Sequence, residues 1–267
     1  MQSSIVHKLL AVISVVSDAP KPLSFSEIVE KTGMNKSTIH RLLAIAVEER
    51  MLRHEGNRRV YLLGSRVFDF VRSAYKGYDI QAIALDEMVQ LYERFDVNVT
   101  IGVPGGHDVI YLRILESPRS MGGVQRPGMR DPIHCSASGK ALMAFIPDRV
   151  AAAMLNGYEF RRHTARTITS LDAFTDQLRE VRELGFGWND REEHDHFLGI
   201  SAPVFNYLAE PIAVLNIWSA YPRHSIEDFM GWSDTLKASA AHVTEMIGGV
   251  PPDIKTLSDF DPASACA

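Results

Sequence analysis

SFSEIVEKTGMNKSTIHRLLAIAVEERML, residues 24–52, is the stretch on which the fold of the N-terminal third turns. Ser24 followed by Glu27 has the spacing of a capping box, in which each side chain satisfies a backbone N–H of the other at a helix start. Gly33 stands where such a helix would stop in a left-handed residue, so a helix of about two turns is expected between them. Asn35 can cap the next helix, in which Ile39, Leu42, Leu43 and Ala46 fall at i, i+3, i+4 and i+7 and form one apolar stripe. The opposite face carries Lys36, Ser37, His40 and Arg41. A short helix, a turn containing Gly, and a second helix with an apolar back and a cationic, hydrogen-bonding front have the form of a helix-turn-helix. Lys36, Ser37 and Thr38, beside the unpaired backbone N–H groups of a helix start, suit phosphate oxygens; His40 and Arg41, one turn in, suit base edges in the major groove. An ordinary helical hairpin with a solvated face has the same spacing, so the flanks decide between the two.

Upstream, Ile5, Leu9, Val12 and Val16 recur at helical spacing, giving a helix opened by Ser3 or Ser4 and closed before Pro20. Downstream, Met51–His54 and Arg59–Leu63 read as two short strands around the turn Glu55-Gly56-Asn57-Arg58. Three helices and a hairpin make a winged helix-turn-helix, with Arg58 and Arg59 at the wing tip, placed for a phosphate backbone or the minor groove. Val67, Phe70, Val71 and Ala74 form a further helical stripe that suits a linker helix. Asp79–Phe95 reads as a second long helix, Val97–Val103 and Val109–Leu115 as strands around Pro104-Gly105-Gly106, Pro211–Ala220 as a buried strand, and Ser225–Ile247 as a closing helix.

Charge agrees with a DNA-reading head once it is divided by position. The net charge is -5, but residues 1–65 carry 9 Lys and Arg against 6 Asp and Glu, and the remainder 19 against 27. Phosphate attraction depends on local rather than total charge. With 267 residues, 46% of them hydrophobic, two domains can each build a core. No run approaches the roughly 18 to 20 apolar residues of a membrane helix, so no membrane partner is expected and a cytoplasmic protein is. Cys135 and Cys266 are too distant in sequence to suggest a disulfide framework or a paired-cysteine zinc site.

Several segments in order resemble the IclR family of bacterial regulators, over about residues 3–248. In the head these are GMNKSTIHRLLAIAVEERML (33–52) and YLLG (61–64). In the body they are HCSASGKALMAF (134–145), TARTITSLDAFTDQLREVRELGFGWNDREEH (164–194) and GISAPVF (199–205). The resemblance implies an α+β protein: a winged helix-turn-helix over 1–65, a linker helix over 66–78, and a GAF-like domain over 79–250 with an antiparallel sheet flanked by helices. Residues 251–267 would be a flexible tail. It implies double-stranded operator DNA as a partner, a homodimer that can pair into a dimer of dimers, and a small organic-acid or aromatic effector. The DNA-contacting set is then Asn35, Lys36, Ser37, Thr38, His40, Arg41, Arg58 and Arg59.

The effector pocket of such domains is lined by the loop before the SASGK helix, the loop before the APV strand, and alternate residues of the next strand. Carried over, this gives Met121, Arg130, His134, Cys135, Ser136, Ala137, Asn189, Gly199, Asn216 and Trp218. Alternation along a strand sends Asn216 and Trp218 to one face. Many members have two serines there and Cys at Gly199, so a reshaped pocket is expected. Backbone N–H groups at Ser136 and Ala137 are candidates to receive a carboxylate, with Arg130 and His134 adding charge.

Readings from other classes fare worse. Gly139-Lys140 lacks the Gly five residues before Gly139 and the Ser or Thr after Lys140 that a phosphate loop needs, and no nucleophile elbow or HExxH helix is present, so neither an enzyme nor a cofactor is expected. Glu192–His196, with His134 or Cys135, offers zinc-type ligands, His194 and His196 sharing a face if extended; a solvated acidic loop is the reading preferred, with no metal assigned.

Overall fold

The computed structural model describes residues 5–75, 79–119 and 126–258. Of the residues read above, Ser3, Ser4, the end of the linker at 76–78, Met121 and the end of the tail at 259–267 lie outside the described residues. The chain separates into two compact units, Met1–Tyr78 and Asp79–Ala267.

The first unit runs α1 (Ile5–Ser17), β1 (Leu23–Ser24), α2 (Phe25–Thr32), α3 (Lys36–Glu48), β2 (Leu52–Glu55), β3 (Val60–Leu63) and α4 (Ser65–Tyr75). The capping box forms as its spacing requires: Glu27 N–H donates to Ser24 Oγ at 3.4 Å and Ser24 N–H to Glu27 Oε2 at 2.7 Å. Hydrogen bonds from the Ser24 backbone N–H and hydroxyl hold the Glu27 carboxyl down at about 2. Gly33 ends α2 at φ 65°, a conformation that costs a Cβ-bearing residue more than glycine. Asn35 Oδ1 then accepts from Thr38 N–H at 2.8 Å and opens α3. Val12, Ile28, Ile39, Leu42, Leu43, Ala46 and Leu52 are buried together between the helices and the sheet. Burial of each large aliphatic side chain there stabilises the head by roughly 1.5–3 kcal/mol.

Two details differ from expectation. β1, which the two-strand reading misses, pairs with β3 and gives a three-stranded sheet of order β1-β3-β2. Arg59, expected to begin a strand, sits at φ 54° in a four-residue loop, and β3 starts at Val60. Closing the chain over four residues needs a left-handed position, and Arg59 takes it.

The second unit contains α5 (Ile80–Ile83), α6 (Leu85–Phe95), β4 (Asn98–Pro104), β5 (Asp108–Leu115), β6 (Arg130–Pro132), α7 (Ala137–Met143), α8 (Asp148–Leu155), α9 (Leu171–Leu184), β7 (Gly187–Asp190), β8 (Phe197–Phe205), β9 (Pro211–Ala220), α10 (Ile226–Met246) and α11 (Ile254–Ser258). The single helix expected over Asp79–Phe95 is interrupted by a turn at Ala84, φ -76° and ψ -9°, between α5 and α6. The six strands pair antiparallel throughout, in the order β6-β5-β4-β9-β8-β7. On one face Val99, Ile101, Ile200, Leu215 and Ile217 pack against Met88 and Leu91 of α6 and Phe229, Leu236 and Val243 of α10. On the other, Val109, Tyr111 and Val214 meet Ala141 and Leu142 of α7. Ile254–Ser258, expected in a flexible tail, instead forms α11, and Leu257 is buried beside Phe145 and Phe205. Its one apolar anchor is too brief a pattern to mark a helix in sequence. Among the described residues, no helix is long and apolar enough to cross a membrane.

Candidate functional site

On α3, Asn35, Lys36, Ser37, His40 and Arg41 are exposed and Thr38 is half-buried, while Ile39, Leu42, Leu43 and Ala46 are buried behind them. The stripe spacing therefore produces one solvated, hydrogen-bonding face over an apolar back. Asn35 is occupied as a cap, accepting from Thr38 N–H and from Ser37 Oγ at 2.9 Å. His40 stands edge-on to Phe25, ring centroids 6.4 Å apart, which fixes the ring at the edge of this face. Arg58 and Arg59 project from the wing loop; Arg58 is only 3.9 Å from Glu55 and three-quarters exposed, a contact worth little in water.

In the second unit a cavity of about 210 Å³ opens where β9, β8 and β7 meet the start of α7. Ser136, Ala137, Asn189, Gly199, Asn216 and Trp218, all named from the sequence, line it. Asn216 and Trp218 share a face because the neighbouring Leu215 and Ile217 point into the core on the other side. Asn216 Nδ2 donates to Thr100 Oγ1 at 3.1 Å, while Trp218 meets Phe197 edge to face at 5.1 Å. Gly199 lies directly across the β8–β9 pair from Trp218. A Cβ built there would sit 2.4 Å from the Ile217 carbonyl oxygen and 2.7 Å from Trp218 Cβ, so the small residue leaves the space that the large one uses. Asn189 Oδ1 accepts from Glu192 N–H at 2.8 Å and so shapes the turn after β7.

Three expected residues stand elsewhere. Arg130 is on the exposed side of β6, paired with Asp108 at 3.5 Å, because its neighbour in the alternation, Asp131, takes the inward position. His134 is buried with both ring nitrogens engaged, Nδ1 with the Tyr158 hydroxyl at 2.7 Å and Nε2 with the Arg161 carbonyl at 2.9 Å. Cys135 is fully buried, and loss of water pushes its thiol pKa far up. These residues hold the α7 entrance in place. The helix start is also occupied: Ser136 N–H donates to the Pro132 carbonyl at 3.3 Å, and Gly139 N–H to Ser136 Oγ at 3.0 Å. Of the carboxylate cradle expected at Ser136 and Ala137, the Ser136 N–H is engaged with Pro132, and Arg130 and His134 are paired away from the cavity.

Sequence reasoning misses Tyr111, Asp131 and Glu193 in the cavity wall. The Tyr111 hydroxyl donates to Asp131 Oδ2 at 2.7 Å, and burial pushes its own pKa well up. Asp131 and Glu193 both line this cavity, and burial raises the pKa of each. Alternation from Val109 is the signal that places Tyr111; Glu193 is hidden in a run that reads as a solvated acidic loop. That run, including His194 and His196, is a set of bends and turns rather than extended, so the shared face on which its metal reading rests does not form. His134, Cys135 and His163 bring ligand atoms within 4.8 Å of one another, with both His134 ring nitrogens engaged by Tyr158 and Arg161.

The turn carrying Glu193 is anchored from below. Lys140 Nζ donates to Glu192 Oε1 at 2.6 Å with the Lys140 side chain fully buried, tying α7 to the β7–β8 connection. Burial lowers the Lys140 pKa and raises that of Glu192, each opposed by the attraction of its partner.

Comparison with known proteins agrees with this architecture. Residues 6–56 match the family model for the IclR helix-turn-helix domain, and residues 72–245 that for the bacterial transcriptional regulator IclR C-terminal domain. The chain is 27% identical over 229 residues to the probable transcriptional regulator SauR of Cupriavidus necator, covering 86% of this chain and 91% of that protein. The fold is that of the Agobacterium tumefaciens repressor BlcR, with a TM-score of 0.76 at 21% identity over 92% of this chain and 98% of that one. An IclR homolog from Microbacterium hydrocarbonoxydans, solved in complex with 4-hydroxybenzoate, matches with a TM-score of 0.57 at 20% identity, covering 92% of this chain and 99% of that one. With a family match that spans most of both units, the chain belongs to the IclR family of bacterial transcriptional regulators, proteins with a DNA-binding helix-turn-helix and an effector-binding C-terminal domain.

Proposed function

We propose that this chain is a sequence-specific operator-binding regulator, acting as a homodimer, whose affinity for DNA is set by a small organic molecule with a flat or apolar body held between Trp218 and Asn216. The observation that carries the DNA half is the exposed row Lys36, Ser37, His40 and Arg41 over a buried apolar back. Lys36 and Ser37 contact phosphates, Arg41 and His40 read bases, and Arg58 with Arg59 follow the backbone beside the major groove. The cavity supports the effector half: the Trp218 and Phe197 rings line it together with polar groups, the usual mixture of a surface that binds a body and groups that orient a head. At about 210 Å³ it is smaller than the roughly 300–1,000 Å³ of sites for drug-sized ligands, so the effector is small. A relative of the same fold, solved with 4-hydroxybenzoate, fits that size and flatness.

The test is an operator titration with and without a ligand found by thermal-shift screening, since a molecule that binds only the folded state raises its melting temperature. Trp218→Ala and Asn216→Ala are expected to abolish the ligand response and to leave operator affinity without ligand within about twofold of wild type. Wild-type ligand affinity in both variants would mean that the effector binds elsewhere.

A further inference from the structure

Asp131 on β6 and Glu193 in the β7–β8 connection both line the cavity. Glu193 is deep in its wall, its side chain 11% exposed. Phe197 and Trp218 line the same cavity; Trp218 is 6% exposed, and its indole N–H has no hydrogen-bond partner among the described residues. No Lys or Arg is among the described residues that line the cavity. The nearby cations are engaged elsewhere, Arg130 with Asp108 and Lys140 with Glu192. His194 touches the rim, its Nε2 4.0 Å from Glu193 Oε1 and its side chain 61% exposed to water.

Resting on the reading of this cavity as the effector site, we propose that it takes a small organic cation: a primary ammonium facing Asp131 and Glu193, on a flat body carrying one oxygen that accepts from the Trp218 indole N–H. An organic anion would face two acidic side chains with no buried cation to offset them, and its carboxylate would surrender its hydration for that. An ammonium has three donors, enough for both carboxyls, and the flat body finds the Trp218 and Phe197 rings to pack against. A neutral alcohol has a single donor and gains neither the charge nor the second hydrogen bond. The unused indole N–H is the second fixed point, and it asks for an acceptor on the ligand rather than a second donor.

Three molecules of one skeleton separate these cases: 4-hydroxybenzylamine, 4-hydroxybenzyl alcohol and 4-hydroxybenzoate, titrated into the full-length protein by calorimetry at pH 7.5 with thermal shift in parallel. The amine is expected to raise the melting temperature and to bind at least tenfold tighter than the alcohol, with 4-hydroxybenzoate weakest. Asp131→Asn combined with Glu193→Gln keeps the shape and should erase the preference of amine over alcohol. No stabilisation by the amine, tighter binding of 4-hydroxybenzoate, or an amine preference that survives the double amide variant would each overturn the cation assignment. The two readings fail differently. If 4-hydroxybenzoate binds and Trp218→Ala removes that binding, the effector site stands and its charge class falls; if the amine binds through the carboxyls and operator affinity does not respond, the cation site stands and the effector reading falls.

Discussion

Gly199 is the residue whose surroundings leave least freedom. The space of its missing side chain is filled by Trp218 from the paired strand, so Gly199→Ala sets a Cβ against a main-chain oxygen that cannot move aside. Overpacking of this kind costs about 1–3 kcal/mol, and for a unit of this size each kcal/mol lowers the melting temperature by about 2–4 °C. Thermal denaturation of Gly199→Ala should show that loss together with weakened ligand binding; a variant as stable as wild type would mean that the strand pair opens more easily than its register implies. Asp131 and Glu193 give a second residue-scale outcome, a pH dependence. The fold binds their protons more tightly than the unfolded chain does, so the pair's contribution is full below the ordinary carboxylate range, near pH 4, and is lost as pH rises through the raised folded values. Asp131→Asn with Glu193→Gln should therefore melt higher than wild type at pH 7–8, with the gap closing as pH falls toward about 4. An unchanged or lower melting temperature at pH 7–8 would contradict it. At this scale the sequence is partly legible. Family positions and strand alternation place Asn216, Trp218 and Gly199 on the cavity wall, whereas Asp131 and Glu193 gain their meaning only from lining one cavity from β6 and the β7–β8 connection, 62 positions apart by their numbers, which no local pattern records.

At the scale of elements, legibility follows the caps. α2, α3 and α10 begin where Ser24, Asn35 and Ser225 cap them, and α2 ends at Gly33, because those side chains satisfy N–H groups that the helix leaves unpaired, or permit a left-handed exit. β1 and β7 carry no such mark: two and four residues are too few for alternation to register, and β1 pairs with β3, far away in sequence. Asn35→Ala should cost the head about 1 kcal/mol, the usual worth of such a cap, read as a lower melting temperature. Arg58→Ala with Arg59→Ala should weaken binding to all duplexes alike and reduce the salt slope by about 1–2, since each arginine removed leaves one phosphate to its counterions. Anisotropy titrations on specific and random duplexes across a salt series would check this, and an unchanged slope would remove the wing from the interface.

At the scale of the whole molecule, one helix-turn-helix reads too few base pairs to single out an operator, so two heads are needed on half-sites about one helical turn, roughly 34 Å, or a multiple apart. Sedimentation at micromolar concentration should give a dimer or larger, and a monomer that binds DNA one head at a time would contradict the assembly. The two units carry opposite balances of charge, basic in residues 1–65 and acidic in the rest, which favours approach to DNA through the head. The most direct test of operator reading by α3 is selection of random duplexes with the wild-type protein, followed by anisotropy titration of the enriched sequence with wild type and Arg41→Ala. A two-fold-symmetric enriched sequence is expected and, for Arg41→Ala, a loss of about 1–3 kcal/mol confined to that sequence. Selection that enriches no sequence, or an Arg41→Ala variant that binds the enriched duplex as tightly as wild type, would contradict it.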